Sequence, residues 1–324
     1  MIHISILALK NAVLASIADA RHVFVLTNQW LRQAGKPPLF EVQVVGLWDS
    51  VRLNEGIFTI HPDITTSELQ HTDLIIIPSM SGDMITSTYL NKDYISWIGE
   101  RYQQGAEVAS LCAGVFLLAF SGLLHHRQCT THWDYINEFR SFYPSAQLLE
   151  GRIFTEHNGL YTSGGNNAYW NLLLHLVEKF TDRRTAIYVA KYFVIDIDRL
   201  NQSPFAIFKG SQQHDDALIK SIQAYMEKHF REKLTVSDIA TRFNMTRRTL
   251  ERRFAKATYL TVSEYIQRVK IEVAKKLLET GRRSVTQVMQ DVGYSDTQTF
   301  REVFKKVTEM TPVAYRSKYN KNLR

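Results

Sequence analysis

Cys112 stands where a strand-like run, Val108-Ala109-Ser110-Leu111, gives way to a helix-like run, Val115-Phe116-Leu117-Leu118, with only Ala113-Gly114 between. A thiol at the mouth of a helix has its thiolate favoured by backbone N–H groups and the helix dipole. The small neighbours permit the close approach that a nucleophile elbow requires. Twenty residues on, Thr130-Thr131-His132-Trp133 offers an imidazole able to take the thiol proton. Spacing alone says little here, because a lone cysteine is more often a small buried apolar residue.

A second set of residues suits a polyanion. In the run Arg247-Arg248-Thr249-Leu250-Glu251-Arg252-Arg253-Phe254, a helix with Leu250 and Phe254 in the core leaves Arg247, Arg248, Glu251 and Arg252 projecting outward. Guanidinium groups there can hold phosphates or pair bidentately with guanine. A similar segment around Phe300 and Phe304 projects Thr297, Gln298 and Arg301. Glutamine suits an adenine edge, whereas the neighbouring Glu302 repels phosphate. These seven residues are the expected DNA contacts.

The elements that must position them fall into two blocks, as 324 residues lead one to expect. Strand-like runs at 4–9, 42–47, 74–78 and 108–111 alternate with amphipathic stretches at 18–34 and 94–104. That alternation predicts an α/β domain with a mostly parallel sheet over residues 1–198. Helices are expected at 168–180, after the turn Ser163-Gly164-Gly165, and at 184–192. Residues 199–214, with Asn201-Gln202-Ser203-Pro204 and Gly210-Ser211, read as a linker. From residue 215 to 324 everything reads as helix.

This last block contains an internal repeat. Thr235-Val236-Ser237-Asp238-Ile239-Ala240 is echoed 49 residues later by Ser284-Val285-Thr286-Gln287-Val288-Met289. Each copy has a Ser/Thr cap, a short helix, a tight turn and a second helix, which is the helix-turn-helix arrangement of DNA readers. Ile266, Val269, Val273 and Leu277 mark one face of a long helix between the copies. Charge follows the same division. Residues 215–324 carry 23 Lys+Arg against 13 Asp+Glu, and residues 1–214 carry 16 against 19. A block at +10 beside one at −3 points to double-stranded DNA as partner.

The run from Leu234 through Tyr315 resembles the AraC/XylS-type DNA-binding domain. It does so through Arg248-Thr249-Leu250-Glu251-Arg252-Arg253-Phe254, Ala274-Lys275-Lys276-Leu277-Leu278, Val292-Gly293-Tyr294-Ser295-Asp296 and Thr311-Pro312-Val313-Ala314-Tyr315. Tyr259 and Met310 stand where that family usually has glycine, and Gln298 where it usually has serine. The resemblance implies two recognition helices in successive major-groove segments, and a lean toward activation.

The first 180 or so residues resemble the PfpI-type, class I glutamine-amidotransferase-like domain, a flavodoxin-like α/β fold. The whole chain resembles the GlxA subfamily, which joins that domain to an AraC-type reader. Cys112 and His132 match the family's elbow cysteine and histidine. Enzymatic relatives place an acid after the first strand; that position falls on Ser16, with Asp19 the nearest acid. They follow the strand proline with glycines, whereas here Pro78 is followed by Ser79 and Met80. These departures imply a domain with no catalytic residues. They argue against the alternative, a thiol-dependent hydrolase or glyoxalase-like enzyme with a DNA-targeting tail.

What the fold then offers is a pocket at the carboxyl ends of the strands. Its expected lining is Ser16, Ser79, Met80, Cys112, His132, Ser163, Asn166 and Asn167, with Trp133 or Trp170 as an aromatic wall. Such groups suit a small polar effector, an amino acid or amine. No cofactor is expected. His125-His126 reads as a solvent-facing turn, and two cysteines supply no metal site. No run reaches membrane-spanning length and no signal peptide opens the chain, so a cytoplasmic protein is expected, a homodimer by the usual logic of paired readers.

Overall fold

In Leu74–Ile77 all four side chains are buried, as a strand at the middle of a parallel sheet requires, since helices cover both faces. The computed structural model describes residues 1–197, 199, 201–210 and 214–320. The chain divides into two compact units, Met1–Gln202 and Ser203–Arg324. Of the expected linker, residues 200 and 211–213 lie outside the described residues, as do 198 and 321–324 at the ends of the two expected domains.

The first unit is built on β1 (Ile2–Leu7), β2 (Phe40–Gly46), β3 (Ile64–Thr65), β4 (Leu74–Ile77), β5 (Glu107–Ser110), β6 (Phe154–His157) and β7 (Leu160–Ser163). They form one sheet in the order β6-β7-β5-β4-β1-β2-β3. Every neighbouring pair is parallel except β6 with β7. Its helices are α1 (Leu14–Gln33), α2 (Met84–Leu90), α3 (Tyr94–Gln103), α4 (Val115–Phe120), α5 (Ile136–Phe142), α6 (Tyr169–Phe180) and α7 (Arg183–Phe193). The step from β1 to β2 and the step from β4 to β5 run in opposite directions across the sheet. Right-handed crossovers going opposite ways put their helices on opposite faces. Accordingly α1, α6 and α7 pack together, while α2, α3 and α4 pack together. This is the flavodoxin-like arrangement, with its reversal point between β1 and β4.

The hairpin of β6 and β7 was not among the expected strands. Its turn, Asn158-Gly159, has both residues at positive φ, 52° and 72°, the conformation that a two-residue hairpin turn needs to match strand twist. Helix α1 starts at Leu14, four residues before the expected start. Its cap residue, Val13, makes no side-chain cap bond, so no capping signal marks the start.

The second unit comprises α8 (Ala217–Lys228), α9 (Val236–Arg242), α10 (Arg247–Thr258), α11 (Val262–Thr280), α12 (Val285–Asp291), α13 (Thr297–Thr308) and α14 (Pro312–Tyr319). Reciprocal capping boxes start α9 (Thr235 with Asp238), α11 (Thr261 with Glu264) and α12 (Ser284 with Gln287). Two separate cores form. Val262, Tyr265 and Ile266 of α11 join the first, with Leu250 and Phe254, whereas Ile271, Ala274 and Leu278 join the second, with Phe300 and Phe304. Helix α11 is therefore the spine shared by both helix-turn-helix copies. No helix among the described residues is long and apolar enough to cross a membrane.

The left-handed residue closing α10 is Tyr259, and in the second copy it is Glu309, both at φ 57°. The glycine-type position of the second copy is thus Glu309, one residue before Met310. In the turns between paired helices the left-handed residues are Asn244 (φ 52°) and Gly293 (φ 75°). At Gly293 a Cβ would lie 2.2 Å from the Arg231 carbonyl oxygen. Gly293→Ala should therefore destabilise the second unit by about 2–4 kcal/mol, the summed cost of a left-handed residue and a backbone clash. Urea unfolding of the full chain reads this as an earlier second-unit transition. Gly99→Ala, on α3 with open space around it, should leave both transitions in place or raise the first slightly.

Candidate functional site

All seven expected DNA contacts, Arg247, Arg248, Glu251, Arg252, Thr297, Gln298 and Arg301, are exposed on α10 and α13. The reason is local: Leu250 and Phe254 in α10, and Phe300 and Phe304 in α13, are fully buried and turn the opposite face outward. Arg247 pairs with Glu251 one turn on (2.9 Å), and Gln298 donates to Glu302 (2.9 Å). Glu251 therefore tempers the charge of its own helix face. Among the described residues no ion pair engages Arg248, Arg252 or Arg301. Arg253 plays another part. It holds Asp216, the cap residue of α8, through two bonds of 2.5 and 2.8 Å. That hydrogen-bonded guanidinium keeps the Asp216 carboxyl below its usual range.

In the first unit, parallel pairing delivers the ends of β4, β5 and β7 to one edge of the sheet. Pro78-Ser79-Met80, Cys112 and Ser163 meet there. Cys112 has φ 52°, and its backbone N–H donates to Ser163 Oγ at 3.0 Å. Gly114 lies so close beneath that a Cβ would stand 2.5 Å from the Pro78 carbonyl oxygen. The elbow is present, but its thiol is not activated. Burial pushes the Cys112 pKa up to about 11, against the lowering effect of a bond with Ser79. Its Sγ donates to Asn166 Oδ1 at 3.4 Å.

The groups that would assist a nucleophile are committed elsewhere. The Ser79 N–H donates to Ser16 Oγ at 3.0 Å, and Ser16 donates onward to the Val13 carbonyl at 2.7 Å. Asp19 accepts a 2.6 Å bond from the Tyr169 hydroxyl. Met80 is buried and bridges to Ala12. His132 caps the short turn after it, its Nδ1 accepting the Asp134 N–H at 3.0 Å.

Ser16, Ser79, Met80, Cys112 and Ser163 are all buried, His132 is half-buried, and Asn166 and Asn167 are exposed. Trp133 lies beside His132, ring centroids 5.1 Å apart. Trp170 is buried against Phe193 and so belongs to the core rather than to a pocket wall. His125 and His126 sit exposed at a turn. Among the described residues no three His, Cys, Asp or Glu side chains gather to hold a metal ion.

One residue of this edge escaped the reading of the sequence. Gln202, within the expected linker, is buried in the first unit. Its Oε1 accepts the N–H groups of Trp133 (3.2 Å) and Gly165 (3.0 Å), and its Nε2 donates to the carbonyls of Thr131 (2.8 Å) and Arg152 (3.1 Å). A glutamine inside Asn-Gln-Ser-Pro carries no local signal of burial, since such runs usually form exposed turns.

Comparison with known proteins agrees with this architecture. Residues 24–179 match the DJ-1/PfpI family model, and residues 239–318 match a helix-turn-helix domain model. The HTH-type transcriptional regulator GbdR of Pseudomonas aeruginosa is 24% identical over 95% of this chain and 82% of that protein. The regulator CdhR of the same species is 26% identical over 65% of this chain and 63% of its own length. Among solved structures, a transcriptional regulator protein of Vibrio parahaemolyticus described as putative superposes with a TM-score of 0.53 at 20% identity, covering 59% of this chain and 98% of that one. A ThiJ/PfpI family protein of Pseudomonas syringae gives 0.50 at 16% identity, covering 61% and 76%.

A thiol with a pKa near 11 is protonated at neutral pH. Iodoacetamide should modify Cys112 of the native chain at least ~100-fold more slowly than free cysteine at pH 7.5. The rate should climb about tenfold per pH unit up to pH 10. Peptide mass spectrometry follows the site, and a rate already level below pH 8 would mean a thiolate present from the start.

Proposed function

Because this chain joins a DJ-1/PfpI-type domain to an AraC-type helix-turn-helix domain, we infer that it is a sequence-specific, DNA-binding transcriptional regulator whose first domain binds a small molecule without turning it over. The carrying observation is the pair of outward arginine- and glutamine-bearing helix faces on α10 and α13. They are held by capped helices on the common spine α11, in a segment with a formal charge of +10. Phosphates supply the affinity of such a segment, and the side chains on its reading helices supply the sequence preference.

Each reading helix is opened by a side-chain cap, Thr246 for α10 and Asp296 for α13. Caps of this kind fix where the first turn starts, and the first turn of a recognition helix carries its base-contacting residues. Arg248 and Arg252 are the guanine readers or phosphate anchors of the first helix. Thr297, Gln298 and Arg301 serve the second, where the Gln298–Glu302 bond pre-orients the amide.

The sensing role draws on the sheet edge where Cys112 bonds to Ser163 and Asn166 and Ser79 bonds to Ser16, with Met80, His132 and Asn167 taken as further lining. A neutral thiol and pre-committed amides favour binding over nucleophilic attack. The effector is a small polar metabolite of the amino-acid or amine class, and its binding alters how the two readers engage DNA. The regulator acts in the cytoplasm as a homodimer, since two copies multiply reader contacts on one duplex. Its effect at promoters is activation.

The test is selection of random duplex DNA by the full chain. The enriched site should contain two half-elements about one helical turn, ~10–10.5 base pairs, apart. Arg248→Ala and Arg252→Ala should each weaken binding to that site by about 1–3 kcal/mol if they read bases. A selection that enriches no sequence rejects the regulator reading, and unchanged affinity in both variants removes these arginines as contacts.

A further inference from the structure

The four groups around the Gln202 side chain are all backbone, so their donor and acceptor identities are fixed. Two N–H groups, of Trp133 and Gly165, converge on its oxygen, and two carbonyls, of Thr131 and Arg152, converge on its nitrogen. That arrangement matches a primary carboxamide. A carboxylate would set oxygen against two carbonyls, and a guanidinium would set N–H against two N–H groups.

The space is kept open for it. A Cβ on Gly164 would lie 2.5 Å from Gln202 Nε2, and a Cβ on Gly165 would lie 3.1 Å from the His132 ring. The Thr131 hydroxyl is fully buried with no hydrogen-bond partner among the described residues, which leaves a polar group unused beside the cradle. The same β7–α6 turn carries Asn166, which accepts from the Cys112 thiol. Cradle and elbow are therefore two parts of one sheet edge.

Gln202 is also the last residue of the first unit. The next residues are tied within the second unit. Ser203 Oγ donates to Glu309 (3.3 Å), and the Pro204 carbonyl accepts from Tyr319 (3.2 Å). The Ala206 carbonyl accepts from Lys275 (2.6 Å), and the Phe208 N–H donates to Glu272 (3.1 Å). Lys275 and Glu272 form a buried ion pair at 2.8 Å. Between the cradle and the first anchor of the DNA reader there is no spare residue.

We propose that the cradle of Thr131, Trp133, Arg152 and Gly165, which Gln202 fills from within the chain, is the effector's carboxamide subsite, and that an effector bearing a primary carboxamide displaces Gln202 and frees the link to the DNA reader. The proposal rests on the reading of the first unit as a sensor and names the chemistry it senses. An internal occupant lowers the apparent affinity of a competing ligand by the fraction of time the site is open. Removing the occupant removes that handicap.

The experiment uses full-length wild type, Q202A and the same-sized Q202E, with L-glutamine as probe and L-glutamate as the carboxylate control. Titration calorimetry should give a Kd for L-glutamine at least about tenfold lower in Q202A than in wild type, and no binding of L-glutamate. Hydrogen exchange should show the Trp133 and Gly165 amides unprotected in both variants, and protected again in Q202A with L-glutamine. In wild type, saturating L-glutamine should speed exchange of the Gln202 amide, which donates to the Gly151 carbonyl at 2.7 Å. Protection in β1 and β4 reports that each variant is folded, and Q202E carries the exchange test if Q202A is not. Equal affinities, absence of binding to the variants, or unchanged exchange at Trp133 and Gly165 overturns the proposal. DNA selection by the same wild-type preparation tests the regulator reading separately, so failure there leaves the cradle result standing.

Discussion

Parallel pairing of β1, β4, β5 and β7 is the constraint on which the first unit depends. Antiparallel neighbours would deliver successive strand ends to opposite edges of the sheet. Parallel neighbours bring Ser79, Cys112 and Ser163 to the same edge although 84 residues separate the first from the last. Everything distinctive there follows from the crowding. The Cys112 N–H finds Ser163 Oγ, the Ser79 N–H finds Ser16 Oγ, and Gly114 fits under the Pro78 carbonyl. The same crowding removes water from the thiol, which raises its pKa and keeps it protonated at neutral pH.

The second unit depends on one helix in a comparable way. Neither helix-turn-helix copy closes a core by itself; each borrows one half of α11. The shared helix also supplies the buried Lys270, whose ammonium donates to the Gly293 carbonyl (3.2 Å) and the Glu232 carbonyl (3.4 Å). It thereby links the turn of the second copy to the segment leading into the first. Glu272 and Lys275 of the same helix hold the incoming chain. A buried ion pair adds little net stability compared with apolar packing, but it places its partners closely. Here it positions Ala206 and Phe208, the residues through which the preceding unit is joined.

Legibility in the sequence followed the range of each interaction. The elbow was readable because strand, turn and helix are contiguous around Cys112, and the paired readers were readable because the repeat of caps and apolar positions is local. The hairpin of β6 and β7 has a turn signal, Asn158-Gly159, but its flanking strands hold Thr, Glu and His in place of the apolar run that marks a strand. The start of α1 carried no capping signal at all. The Tyr169–Asp19 bond spans 150 residues of chain, and no periodicity or motif can announce such a pairing.

By itself, the sequence determined an α/β part with a mostly parallel sheet, a helical part with two helix-turn-helix copies, and which faces of α10 and α13 look outward, because these rest on hydrophobic period and capping within short windows; the flavodoxin-like type of the first part was implied by resemblance alone. Only the tertiary structure decided which polar groups of the first unit are already committed to one another. Only it showed that Trp170 lies in the core, and that Gln202 leaves the link to fill a cradle. The physical reason is that a side chain's protonation state, exposure and partners are set by whatever the fold brings beside it, and for Cys112 and Gln202 those neighbours come from distant stretches of the chain.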